Sequence, residues 1–204
     1  MTKDQLTEII LSIPPEERQV PIEDLNDLYK MLVTASFYPE TPCDNLEQIV
    51  SNVDRISATK LGHRKLVEHL IGTYGLEKST AKKISTPMIL TARYLNRFQT
   101  LDAFKEYLKG KCTDERSTFG FLDGFRSESG IFGMYLSKTS YVFSVTGLLD
   151  IPYINQTVRG MLVYLVGIEG TNFDCYLYLC SLKRKTGLSG YDLASRIGRI
   201  EIDA

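Results

Sequence analysis

Apolar residues recur every three or four positions along most of this chain, and that spacing restricts it to folds built from helices. Leu6, Ile9, Ile10 and Ile13 show it first, then Leu25, Leu28, Leu32 and Val33, then Leu66, Leu70 and Ile71. Helix starts are written in "TKDQ", "PIED" and "CDNLEQ", and stops in Pro14-Pro15, Pro39, Gly75 and Gly110. Pro87 falls inside "KSTAKKISTPMILTARYLNRF", which predicts a kinked helix or two helices. "YVFSV", "MLVYLVGI" and "CYLYLCSL" are rich in β-branched and aromatic residues and suit buried strands as well. Helix is preferred for all three, because Ile154, Val158, Met161, Leu162 and Leu165 keep the helical period and no two-residue hairpin turn separates the runs. The expected fold class is all-α.

With 204 residues the chain can bury a sizeable core as one large domain or as two lobes around a cleft. Residues 1–21 read as an N-terminal helix and linker, and 22–204 as a single two-lobed helical domain. Hydrophobic residues at 43% and charged ones at 24% are ordinary globular values, which argues against disorder. The apolar runs are too short for a membrane span, and the N-terminus lacks a basic segment and a cleavage site. The expectation is a cytosolic monomer with no membrane partner, nucleoid-associated if the source is prokaryotic or a phage.

Cys43, Cys112, Cys175 and Cys180 show no C-x-x-C spacing, and His63 and His69 are the only histidines, so neither a metal centre nor a cofactor is implied. A net charge of −1 argues mildly against a phosphate-binding surface. The segment "SLKRKTGLSGYDLASRIGR" nevertheless carries Lys183, Arg184, Lys185, Arg196 and Arg199 against Asp192, either a basic stripe or a solvated helix end.

The stretch "LSKTSYVFSVTGLLDIPYINQTVRGML" holds the most informative residues. On a helix beginning near Gly133, Lys138 shares a face with Met134, Tyr141, Val142 and Val145. Apolar neighbours strip hydration from an amine, lower its pKa and leave more of the neutral nucleophile. The same pattern also suits a lysine whose stem packs while its ammonium reaches water. Asn155, just before an apolar-periodic run, is placed to cap a helix. Upstream, "TFGFLDGFRSESGIFGMY" looks like two short helices joined by a tight turn, a helical hairpin.

The order of glycine turn, lysine, helix, loop, polar residue at a helix start and "FDCYLYL" resembles the helix-hairpin-helix superfamily of DNA glycosylases, most of all the type 2 8-oxoguanine glycosylases with abasic-site lyase activity. The similarity spans roughly residues 22 to 182, with recognisable motifs between 133 and 179. It implies a two-lobed glycosylase-like fold, double-stranded DNA with a damaged or modified base as partner, and base flipping into a pocket. Lys138 takes the Schiff-base lysine position and Asn155 that of the catalytic aspartate. Gly130, Gly133, Arg159, Lys183 and Arg184 are the DNA-contact candidates. Tyr135, Tyr141 and Phe132 are available to stack on a flipped base or to pack in the core. The hairpin lacks its second glycine, since Leu136 stands two residues before the lysine.

An amide at the aspartate position carries no charge to stabilise a developing sugar cation. Such a loss commonly costs about a hundredfold to a thousandfold in rate. Asp150 and Asp174, and after them Asp123, are candidate substitute carboxylates. The resemblance therefore implies a base-excision glycosylase or abasic-site lyase, impaired in excision. The alternatives are a glycosylase-fold enzyme that hypermodifies thymine bases, as in some phages, or a non-catalytic DNA- or protein-binding descendant.

Overall fold

The computed structural model describes residues 1–16 and 20–201, and among them eleven helices and no strand. They are α1 (Lys3–Ser12), α2 (Leu25–Phe37), α3 (Leu46–Asn52), α4 (Arg55–Tyr74), α5 (Lys78–Leu95), α6 (Leu101–Lys111), α7 (Glu115–Ser129), α8 (Leu136–Val145), α9 (Gln156–Val166), α10 (Asn172–Thr186) and α11 (Gly190–Gly198). The all-helical expectation holds, including the three β-rich runs, which fall in α8, α9 and α10 except for Gly167 and Ile168 just past the end of α9.

Two compact units divide the chain. The first comprises Met1–Pro21, Lys111–Asp123 and Leu136–Ala204, and the second Ile22–Gly110 and Gly124–Tyr135. The N-terminal segment read as a lead-in thus counts with the first unit, where α1 packs on α10 and α11.

In the second unit, α5 packs on α4 and α2. Leu28, Leu32 and Val33 of α2 meet Leu66 and Leu70 of α4 and Ile84, Met88 and Leu95 of α5 in a buried core. An aromatic cluster of Tyr94, Phe98, Phe104, Tyr107 and Phe125 extends it, and the Tyr94 and Tyr107 hydroxyls both donate to Glu128. Gly62 breaks α4 with φ +66° and ψ 172°, a conformation that other residues adopt only with strain. By contrast α5 runs through Pro87 without a break, and Gly110 lies inside α6 rather than ending it.

The first unit buries Val142 and Phe143 of α8, Val158 and Leu162 of α9, Leu179 of α10, and Leu193 and Ile197 of α11. Caps set the helix starts. Thr2 and Gln5 form a capping box on α1, Thr171 and Asp174 one on α10, and Ser189 caps α11. Arg196 is 7% exposed and closes the end of α1. Its guanidinium pairs with Asp192 at 2.9 Å through two nitrogens and donates to the carbonyls of Ile10 (3.3 Å) and Ile13. The Ile10 carbonyl also accepts the Ile13 N–H at 3.3 Å, so the arginine, supplied from α11, adds charge-assisted donors at the C-terminal end of α1.

Gly190 opens α11 against the backbone of Ile151 and Pro152, where any Cβ would overlap the Ile151 carbonyl group. Gly160 lies mid-helix in α9 with open space around it. Gly190→Ala is therefore expected to cost about 3 kcal/mol or more, because backbone cannot yield as a side chain can. Gly160→Ala should add about 0.5–1 kcal/mol. Urea unfolding of the two variants measures both, and equal midpoints would contradict the close packing at Gly190.

Candidate functional site

Ser140 and Ser144 stand one turn apart on α8 and both face the connection that leads to Asn155. The Ser140 hydroxyl accepts the Ile154 N–H at 3.1 Å, and the Ser144 hydroxyl donates to the Ile151 carbonyl at 2.7 Å. Each bond satisfies a buried backbone group that has no helical or sheet partner. Asp150 secures the same connection from its other side, accepting the Gly190 N–H at 2.8 Å and pairing with Lys183 at 2.7 Å. The segment between α8 and α9 is thus fastened to α8, α10 and α11 within one unit.

Asn155 is the residue on which this connection ends. Its backbone is extended (φ −118°, ψ 177°), and its side-chain oxygen accepts the Val158 N–H at 2.8 Å, so the expected N-cap is present. The amide therefore has a structural task that a carboxylate would perform equally well.

Lys138 lies in the first turn of α8, which begins at Leu136 rather than near Gly133, so Met134 is outside the helix and not on the lysine's face. Tyr141, Val142 and Val145 remain on that face, three, four and seven residues on. The lysine is half-buried, and loss of hydration holds its pKa below the usual 10.5. A first-turn position at the positive end of the helix dipole acts in the same direction. Tyr141 is in edge contact with Tyr153 (5.4 Å) and tilted against Tyr191 (6.4 Å), which ties α8 to the connection and to α11. Burial raises the pKa of the Tyr153 hydroxyl.

The other predicted residues have partners of their own. Asp174 accepts from both the N–H and the hydroxyl of Thr171 at 2.7 Å, and these bonds hold its pKa below the usual carboxylate range. Arg159 donates to the Gly170 carbonyl at 3.2 Å, Arg184 pairs with Glu115, and Lys185 pairs with Asp4. Arg199 donates to the Pro14 carbonyl at 2.8 Å. Each of these C-terminal cations contacts another residue of its own unit, although Arg184 remains 64% exposed.

Gly130 and Gly133 adopt φ values of +71° and +89° in the loop after α7, which is one helix from Glu115 to Ser129 rather than two short ones. Both glycines belong to the second unit, whereas Lys138, Asn155, Asp150, Asp174, Arg159, Lys183 and Arg184 belong to the first. Gly133 is confined by the Ser36 carbonyl, 2.5 Å from where a Cβ would stand. Phe132 and Tyr135 in this loop are 62% and 51% exposed, so neither is a core residue.

Three features escaped the sequence reading. The serine pair was legible as hydroxyls at i and i+4 within an apolar helix. Gly190 carried no local sign of its close approach. The third is charge: residues 60–97 hold eight Lys or Arg against two Glu, an excess hidden by the chain's overall balance.

Among the described residues no group of three or more His, Cys, Asp or Glu could hold a metal ion, and no helix is long and apolar enough to cross a membrane. No protein-family model matches the chain, and neither a curated protein nor a solved structure matches it.

Replacing Asn155 separates its cap from any chemistry. Asn155→Ala should lose about 1 kcal/mol. Asn155→Asp should keep the cap and match or exceed wild-type stability, by about 0.3–1 kcal/mol from the helix dipole. Thermal unfolding in low salt checks this, and a large loss in Asn155→Asp would contradict the cap geometry.

Proposed function

We propose that this chain acts on DNA as an abasic-site lyase of the helix-hairpin-helix glycosylase kind, with Lys138 as its Schiff-base amine and base excision held back by the amide at Asn155. The observation that carries the reading is Lys138 itself, a half-buried amine with a lowered pKa in the first turn of a helix. The resemblance of the motifs around it supplies the substrate class.

The ring-opened sugar of an abasic site presents an aldehyde at C1′. The neutral Nζ of Lys138 adds to that carbon, and loss of water gives an iminium ion. The cationic C=N acidifies the C2′ proton. Solvent water takes that proton, the C2′–H bonding pair forms the C2′–C3′ double bond, the 3′ phosphate departs with the C–O bonding pair, and hydrolysis of the conjugated imine returns the amine. Only the addition needs an unprotonated lysine, and no step needs a carboxylate at position 155.

Excision of an intact base is different, because positive charge develops on the sugar before the amine can add. The Asn155 oxygen is neutral and already accepts the Val158 N–H. Asp150 and Asp174 could serve only by leaving Gly190 and Lys183, or Thr171. Excision should therefore be slower by about a hundredfold to a thousandfold than with a carboxylate in place.

Borohydride trapping on duplex oligonucleotides tests the proposal. An abasic site should give a covalent adduct that vanishes in Lys138→Ala, and Asn155→Asp should add excision of a damaged base. Absence of any adduct, in wild type and in Asn155→Asp, would leave a binding protein.

The trapping rate should also rise with pH as the neutral amine forms. Its midpoint should lie below the usual lysine value of 10.5, because the folded protein lowers the pKa of Lys138. A midpoint at the ordinary value would show an amine that keeps its hydration.

A further inference from the structure

The second unit carries a surface whose chemistry the proposed lyase does not use. All eight cations between Lys60 and Arg97 are exposed, and among the described residues only Arg64 forms an ion pair, with Glu68 at 3.1 Å. They lie on α4, on α5 and just beyond α5, and Lys83 borders a concavity of about 350 Å³. Phe37, Pro87 and Phe132 give that concavity apolar walls, and Lys83, Thr86 and Glu40 add polar groups.

Phe132 also belongs to an exposed aromatic pair. The Arg126 guanidinium sits 5.2 Å from the Phe132 ring and 4.8 Å from the Tyr135 ring, holding both in an exposed loop. Exposed rings cost free energy in water and are worth keeping where a flat partner covers them. A stacking surface beside the exposed Lys83 and a largely apolar cavity, on a unit rich in exposed cations, matches one class of partner: a chain of phosphates carrying planar bases that are free to unstack.

We infer that the second unit binds single-stranded nucleic acid, with one unpaired base in the cavity against Phe132, a neighbouring base on Tyr135, and phosphates along the lysines of α5. A duplex keeps its bases stacked inside and offers only its phosphates, so this surface favours the single strand. Glu40 is the one acid at the cavity and disfavours a phosphate there, which leaves the base as its occupant. The inference goes beyond the Lys138 reading and is independent of it, since it concerns binding by the other unit and requires no amine chemistry.

Fluorescence anisotropy with the full chain tests it, using oligo-dT of about 20 nucleotides, longer than the roughly 4–16 that single-strand sites span. A blunt hairpin duplex of equal length is the comparison, in about 50 mM salt. The single strand should bind at least about tenfold tighter than the duplex. Phe132→Ala and Tyr135→Ala should each weaken it by about fivefold to a hundredfold, with Phe132→Trp restoring affinity. Lys83→Gln should reduce the slope of log affinity against log salt by about 0.7.

Equal or tighter binding of the duplex would overturn the inference. So would a single-strand affinity that Phe132→Ala leaves within about twofold, since stacking is worth more than that. Displacement of oligo-dT by polyglutamate as readily as by unlabelled oligo-dT would overturn it too, by showing attraction to any polyanion. These readouts are blind to Lys138, so failure of borohydride trapping leaves them intact, and their failure leaves the trapping result intact.

Discussion

Two serine hydroxyls on α8 hold the connection on which the candidate chemistry of the first unit depends. Without Ser140 and Ser144, the Ile154 N–H and the Ile151 carbonyl would be buried and unpaired, at about 1–3 kcal/mol each. Gly190 presses on the same segment from α11, and Asp150 ties it to α11 and α10. Asn155 is the last residue of the connection and the N-cap of the next helix, so its position follows from these contacts rather than from its own cap alone. Lys138 lies on the helix that carries the serines. A desolvated amine and a capping amide are thus borne by a single fastened assembly of α8, the connection and α9.

Charge is used differently in the two units. In the first, the cations near the C-terminus are consumed by the fold: Arg196 closes α1, Arg199 reaches Pro14, and Lys183, Arg184 and Lys185 meet Asp150, Glu115 and Asp4. In the second, the eight cations between Lys60 and Arg97 are exposed, and among the described residues only Arg64 of them forms an ion pair. A net charge of −1 conceals both facts. Local pairing, not total charge, decides which cations remain available to a phosphate.

Helical periodicity and caps carried most of the fold in the sequence. Thr2, Asp24, Asn155 and Gly75 each mark a boundary because a cap is a local interaction, written within four residues of the bond it makes. The misread boundaries involve glycine and proline, whose effect depends on surroundings. Gly120 and Gly124 lie inside α7 and Pro87 inside α5, while Gly62 interrupts α4. Packing supplied by distant residues overrides local preference at such places. At the candidate site, Lys138 and Asn155 were legible from spacing, whereas Arg196 reaching α1 from near the other end of the chain was not. No local pattern encodes a contact between residues some 185 positions apart.

Everything proposed for the first unit turns on whether Lys138 is chemically distinct from the other lysines. Reductive methylation with ¹³C-formaldehyde followed by an NMR pH titration reads each dimethyl-lysine separately, with Lys138→Arg assigning the resonance. The Lys138 signal should titrate below the usual lysine value of 10.5, because burial and the start of α8 both disfavour its charge. A Lys138 resonance that titrates at or above that value would contradict the account.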